Sequence, residues 1–105
     1  MRSTRQAQRY PTRLVVTHIN GEPETEAVLL DISPLGAKLE SAAPLAPGYP
    51  IDVVVLFPGS ETGTHLAGVV KWMRPLLTAA GRFQMGVELY APYWPVDMMV
   101  QTGKI

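Results

Sequence analysis

Residues 14–36 run LVVTHINGEPETEAVLLDISPLG, and this stretch sets the class of fold. Leu14 to Ile19 is rich in β-branched residues, the pattern of a strand. Asn20-Gly21 follows, and because both residue types tolerate positive φ the pair predicts a type I′ turn. A second strand is expected from about Thr25 to Ile32, completing a hairpin. Ser33-Pro34-Leu35-Gly36 then reads as a turn into a third strand near Ala37 to Ser41. There Ala37 and Leu39 alternate with Lys38 and Glu40.

Working outward, residues 42–50 hold three prolines and a glycine and read as a loop. Ile51 to Phe57 is a fourth strand, apolar enough to be expected buried on much of both faces. Pro58 to Thr64 is a polar connection, Leu66 to Met73 a fifth strand, and Leu76 to Gly81 a turn. Arg82 to Tyr90 alternates cleanly, with Phe83, Met85, Val87 and Leu89 on one side and Gln84, Gly86 and Glu88 on the other. Two prolines in Ala91-Pro92-Tyr93-Trp94-Pro95 break that strand. Val96 to Gln101 suits one or two helical turns, with Pro95 near the first position and Gly103 ending it. Six short strands joined by turns point to a small antiparallel barrel or sandwich. Without repeats or a low-complexity linker, the expectation is one domain over residues 13–105 preceded by a flexible basic arm over 1–12.

Composition narrows the function classes. A chain of 105 residues with 47% apolar content supports one core. It has no cysteine, which excludes disulfides, thiolate metal sites and cysteine nucleophiles. The longest apolar run, Val53 to Phe57, is far short of the ~20 residues of a membrane helix. No apolar stretch follows the first arginines, so a secretory signal is not expected and a cytoplasmic protein is. The net charge of zero hides an asymmetry. Arg2, Arg5, Arg9 and Arg13 are four of the nine basic residues, and no acidic residue precedes Glu22. A basic arm on an acidic body argues against a nucleic-acid polymer, which needs a broad basic face. It suits a small anion, although a short basic terminus is also often simply solvated.

Two groups of residues have chemistry to offer. Arg5-Gln6-Ala7-Gln8-Arg9 carries two planar guanidinium forks, each able to grip a phosphate with two hydrogen bonds, bond a guanine edge or lie on a purine. In Asp31-Ile32-Ser33-Pro34-Leu35-Gly36, a carboxylate at a strand end can accept from the N1 and N2 donors of guanine. Ser33 lies two residues on, and Gly36 permits close approach or positive φ. The competing reading is that Asp31 and Ser33 stabilise a turn through side-chain-to-backbone bonds while Gly36 serves its geometry. His18 and His65 lack the partners for a metal site. No phosphate-cradling glycine loop or recognisable nucleophile–base spacing is present, so no catalytic residue is assigned. Trp72 and Trp94 can stack on bases, but large aromatics in such places more often pack.

The order R-x-x-x-R, strand, hairpin, D-x-S-x-x-G resembles the PilZ domain family. The likeness extends through Arg9-Tyr10-Pro11, Gly68-Val69-Val70-Lys71-Trp72 and Gln84-Met85-Gly86-Val87-Glu88-Leu89. It implies an all-β, six-stranded antiparallel β-barrel with a short C-terminal helical segment. The ligand it implies is cyclic di-GMP, a bacterial second messenger, held by Arg5, Arg9, Asp31, Ser33 and Gly36. Neither a cofactor nor a metal is implied, and the expected role is a non-enzymatic receptor that signals to a protein partner without inserting into a membrane. The rival expectation is a ligand-independent interaction module in motility or secretion machinery.

Overall fold

A computed structural model describes residues 8–103. Six strands, β1 (Tyr10–Ile19), β2 (Glu22–Ile32), β3 (Gly36–Ser41), β4 (Pro50–Leu56), β5 (Thr64–Pro75) and β6 (Phe83–Leu89), precede a helix, α1 (Pro95–Gln101). They close into a barrel in the order β1-β2-β3-β6-β5-β4, every neighbouring pair antiparallel. The choice between barrel and sandwich is therefore settled in favour of the barrel. Closure leaves no strand edge unpaired, which is how a small sheet avoids edge-to-edge association. Asn20 (φ 53°) and Gly21 (φ 82°) both take the left-handed conformation that the β1–β2 turn requires.

Alternation fills the interior. Val16, Leu29, Ile32, Leu39, Ile51, Val55, Val70 and Met85 are essentially inaccessible to solvent. In β4, Ile51, Val53 and Val55 are buried while Asp52 and Val54 are half-buried, so the expectation of a strand buried on both faces is corrected. A barrel this small has one inside, and the other face of every strand meets water. Helix α1 closes one end. Val96 is fully buried in the core, and Tyr93 stacks on Phe57 with ring centroids 6.1 Å apart and planes 7° from parallel. Burying a valine side chain contributes roughly 1.5–3 kcal/mol, enough to hold a helix too short to stand alone.

Most differences from the sequence reading lie at boundaries. The first strand begins at Tyr10, not Leu14, so the arm expected over 1–12 gives up its last three residues to the barrel. Tyr10 pairs with Ile32 and Pro11 with Asp31, and the register then slips before Leu14. Proline, which donates no ladder bond, together with a slipped register hides the strand's periodicity. Strands β2 and β5 also run longer than their apolar cores suggest.

Candidate ligand-binding site

The site is built on one row across the outside of the barrel. Pro11 on β1 lies opposite Asp31 on β2, Asp31 opposite Lys38 on β3, Lys38 opposite Gly86 on β6, and Gly86 opposite Trp72 on β5. Two β-bulges make the row possible. Counting outward and inward in turn from buried Leu29 would send Asp31 into the core. The register slips between Leu29 and Asp31, leaving Leu30 as the extra residue. Asp31 therefore faces out and Ile32 faces in. The same happens between buried Val70 and Trp72, where Lys71 is extra and the indole is carried to the surface. Bulges re-aim side chains in this way at many binding sites.

Arg9 and Asp31, proposed partners in one site from their motifs, meet directly. Nη1 of Arg9 donates to Oδ1 of Asp31 at 2.6 Å, and Nζ of Lys38 lies 3.9 Å from Oδ2. Asp31 is mostly shielded from water, whereas the Arg9 side chain is 53% exposed. Arg5 lies outside the described residues.

Ser33 and Gly36 form the turn beside this pair. The Ser33 hydroxyl accepts from the backbone N–H of Leu35 and of Gly36, at 3.2 and 3.1 Å, and donates to the Gly36 carbonyl at 3.3 Å. Its side chain is thus engaged with its own turn, while the residue still lines the cleft next to it. Gly36 does not use positive φ. A Cβ there would stand 2.5 Å from the Val87 carbonyl oxygen and 3.7 Å from Nη2 of Arg9, so the missing side chain lets β3 lie close to β6 and leaves room for the arginine.

A cleft of about 290 Å³ opens between these groups, floored by Gly36, Gly86 and Val87 and walled by Arg9, Leu35, Lys71, Trp72 and Glu88. Trp72 lies flat over Gly86, where a Cβ would collide with the indole at 2.0 Å. The Arg74 guanidinium sits 5.1 Å from the ring centroid on the indole and donates to Gln84 Oε1 at 3.1 Å. Among the described residues, Arg9, Lys71 and Glu88 line the cleft, with Asp31, Lys38 and Arg74 beside it, a balance that favours an anion carrying flat, stackable groups.

Lys38, Lys71, Gly86 and Trp72 were not assigned from the sequence. Strict alternation from Val70 would turn the indole inward as packing. The one available signal was Val69-Val70-Lys71-Trp72 itself, where a lysine followed by a tryptophan interrupts the in–out rhythm. Arg13 is an exposed residue of β1 and does not line the cleft.

Among the described residues no three His, Asp or Glu side chains gather into a group that could hold a metal ion. No described helix is long and apolar enough to cross a membrane.

No curated protein matches the chain significantly. Among solved structures, the Bacillus subtilis inhibitor of motility (MotI/DgrA) superposes with a TM-score of 0.70 at 18% identity, over 97% of this chain and 53% of that one. The chain thus spans about half the length of that neighbour, and the likeness is one of fold. The family model of the PilZ domain matches residues 3–92, a span that takes in all six strands together with the Arg9–Asp31 pair and its turn. A closed barrel of this order, with R-x-x-x-R leading into it and D-x-S-x-x-G at the β2–β3 turn, belongs to the PilZ domain family.

Proposed function

We propose that the chain is a cyclic di-GMP receptor that signals to a protein partner and carries out no catalysis of its own. One observation carries the reading: Arg9 and Asp31 are in contact at the edge of a cationic cleft whose far wall is an exposed indole. Arginine supplies the two-point grip on a phosphate, the carboxylate meets the N1 and N2 donors of guanine, and the Arg74 guanidinium lying on the indole offers a flat cationic surface. Binding then draws Arg9 from the carboxylate onto the ligand's phosphates, where Arg5 of the same motif joins it. This reorders the arm against the barrel, and the reordered surface is what a partner reads.

Calorimetric titration tests the proposal. Cyclic di-GMP should bind with measurable heat and cyclic di-AMP far more weakly, because adenine lacks the two donors that Asp31 accepts. Equal affinity for the two would remove the guanine-reading role from Asp31, and no binding of either would remove the receptor reading.

The rival reading, an interaction module that needs no ligand, has its own supporting feature. A groove of about 440 Å³ between α1 and the loop after β4, lined by Phe57, Pro58, Pro95, Met98 and Met99, offers adaptable apolar surface. Partner capture that is indifferent to cyclic di-GMP would favour it.

A further inference from the structure

Among the described residues Asp31 has two cationic neighbours, and they are held in different ways. Arg9 reaches Oδ1 from an exposed side chain at the very start of the barrel. Lys38 faces Oδ2 from the middle of β3, where the ladders to β2 and β6 fix its backbone on both sides. We propose that Lys38 is a positioning residue, which keeps the Asp31 carboxylate aimed along the outer row when Arg9 leaves it for the ligand. The inference rests on the reading of this site as one for cyclic di-GMP.

The argument starts from a cost. The Asp31 side chain is 17% exposed, so it has little water to turn to if its close partner departs. Removing one member of a shielded ion pair leaves an uncompensated charge, which is among the more expensive changes a protein undergoes. A guanine edge brings two donors but no charge. Lys38 supplies the charge without competing for the place that Arg9 vacates, because it faces the other oxygen. Each carboxylate oxygen has two acceptor sites, so Oδ2 can hold the ammonium and one base donor together. At 3.9 Å the ammonium is in ion-pair range and short of a hydrogen bond, and its four-carbon stem can close that gap with the strand unmoved. The side chain is 32% exposed, which gives it this freedom.

The experiment is a double-mutant cycle read by calorimetry, on the wild-type chain, K38M, D31A and the double variant, with K38R as the conservative rescue. K38M should weaken cyclic di-GMP binding roughly tenfold, K38R should restore most of it, and K38M should make no further difference once Asp31 is alanine. The preference for cyclic di-GMP over its inosine counterpart, which lacks the 2-amino group, should narrow in K38M. A K38M loss that persists in the D31A background shows Lys38 acting on the ligand itself and overturns the positioning role. Wild-type affinity in K38M overturns it as well. In both cases the receptor reading survives. A wild-type chain that fails to bind overturns the receptor reading and this inference together.

Discussion

Arg9 and Asp31 occupy each other in the free protein, so substitutions at the two should not be read as simple losses of contact. Arg9→Ala and Arg5→Ala should each reduce cyclic di-GMP binding severely, and Arg13→Ala should change it little. Lysine at Arg9 should rescue only in part, since an ammonium cannot make the planar two-point contact. Titration of these four variants checks that Arg5 and Arg9, and not Arg13, hold the ligand, and loss at Arg13 with retention at Arg5 would overturn that assignment. Asp31→Ala should cost about 1–3 kcal/mol of binding by leaving guanine donors unpaired. Gly36→Val fails differently. Its first new atom meets the Val87 carbonyl oxygen at 2.5 Å, so melting temperature should fall along with affinity. If Gly36→Val melts and binds like the parent, the close approach of β3 to β6 has no such role.

At the scale of elements, the short helix is tied to both halves of the site. The Pro34 carbonyl accepts from the Tyr93 N–H at 2.7 Å, and the Tyr10 hydroxyl donates to Asp97 Oδ1 at 2.8 Å, one residue along from Arg9. The hydrogen bond to Asp97, then partial burial, then the Asp97 charge raise the Tyr10 phenol above its ordinary value. A phenol held neutral by the fold contributes its stability fully below about pH 10 and loses it as pH rises through the raised value. Tyr10→Phe should therefore lower stability most at neutral pH, where the bond is intact, and flatten the alkaline end of a stability–pH curve. An unchanged alkaline limb in that variant would count against the bond. The strands, the Asn20-Gly21 turn and the helix behind Pro95 were legible in the sequence, because period-2 alternation and turn chemistry are local. The identity of the motif residues was legible too. What sequence could not supply was the phase of two strands. A bulge leaves residue types unchanged and moves only which side they face, so Trp72 read as core and Lys38 as an ordinary strand-surface lysine. The early start of β1 escaped for a related reason, since Pro11 and a slipped register break the pattern that announces a strand.

For the whole molecule, closure means that every strand has two neighbours, and a local loss is felt around the ring. Unfolding by denaturant should be a single cooperative transition, with fluorescence of Trp72 and Trp94 tracking the loss of far-ultraviolet ellipticity; separate transitions would show a divisible barrel. The two bulges carry a further consequence. Each devotes one unpaired residue, Leu30 or Lys71, to bending and twisting its strand beside the site. Deleting Leu30 keeps every motif letter and restores plain alternation, with Leu29 in, Asp31 out and Ile32 in against Leu39, Lys38 and Ala37, so the carboxylate keeps its side while the strand loses its kink. Deleting Lys71 does the same on β5 and leaves the indole outside. Both variants should keep the barrel's core and bind ligand less well, because the local twist that shapes the row is gone, whereas Leu30→Met should bind like the parent. Thermal melts and titrations of the deletion beside Leu30→Met would show the difference, and parental affinity in both deletions would show that the kinks have no part in the site. A single unpaired residue thus sets the curvature on which the motif letters sit, and the letters alone do not record it.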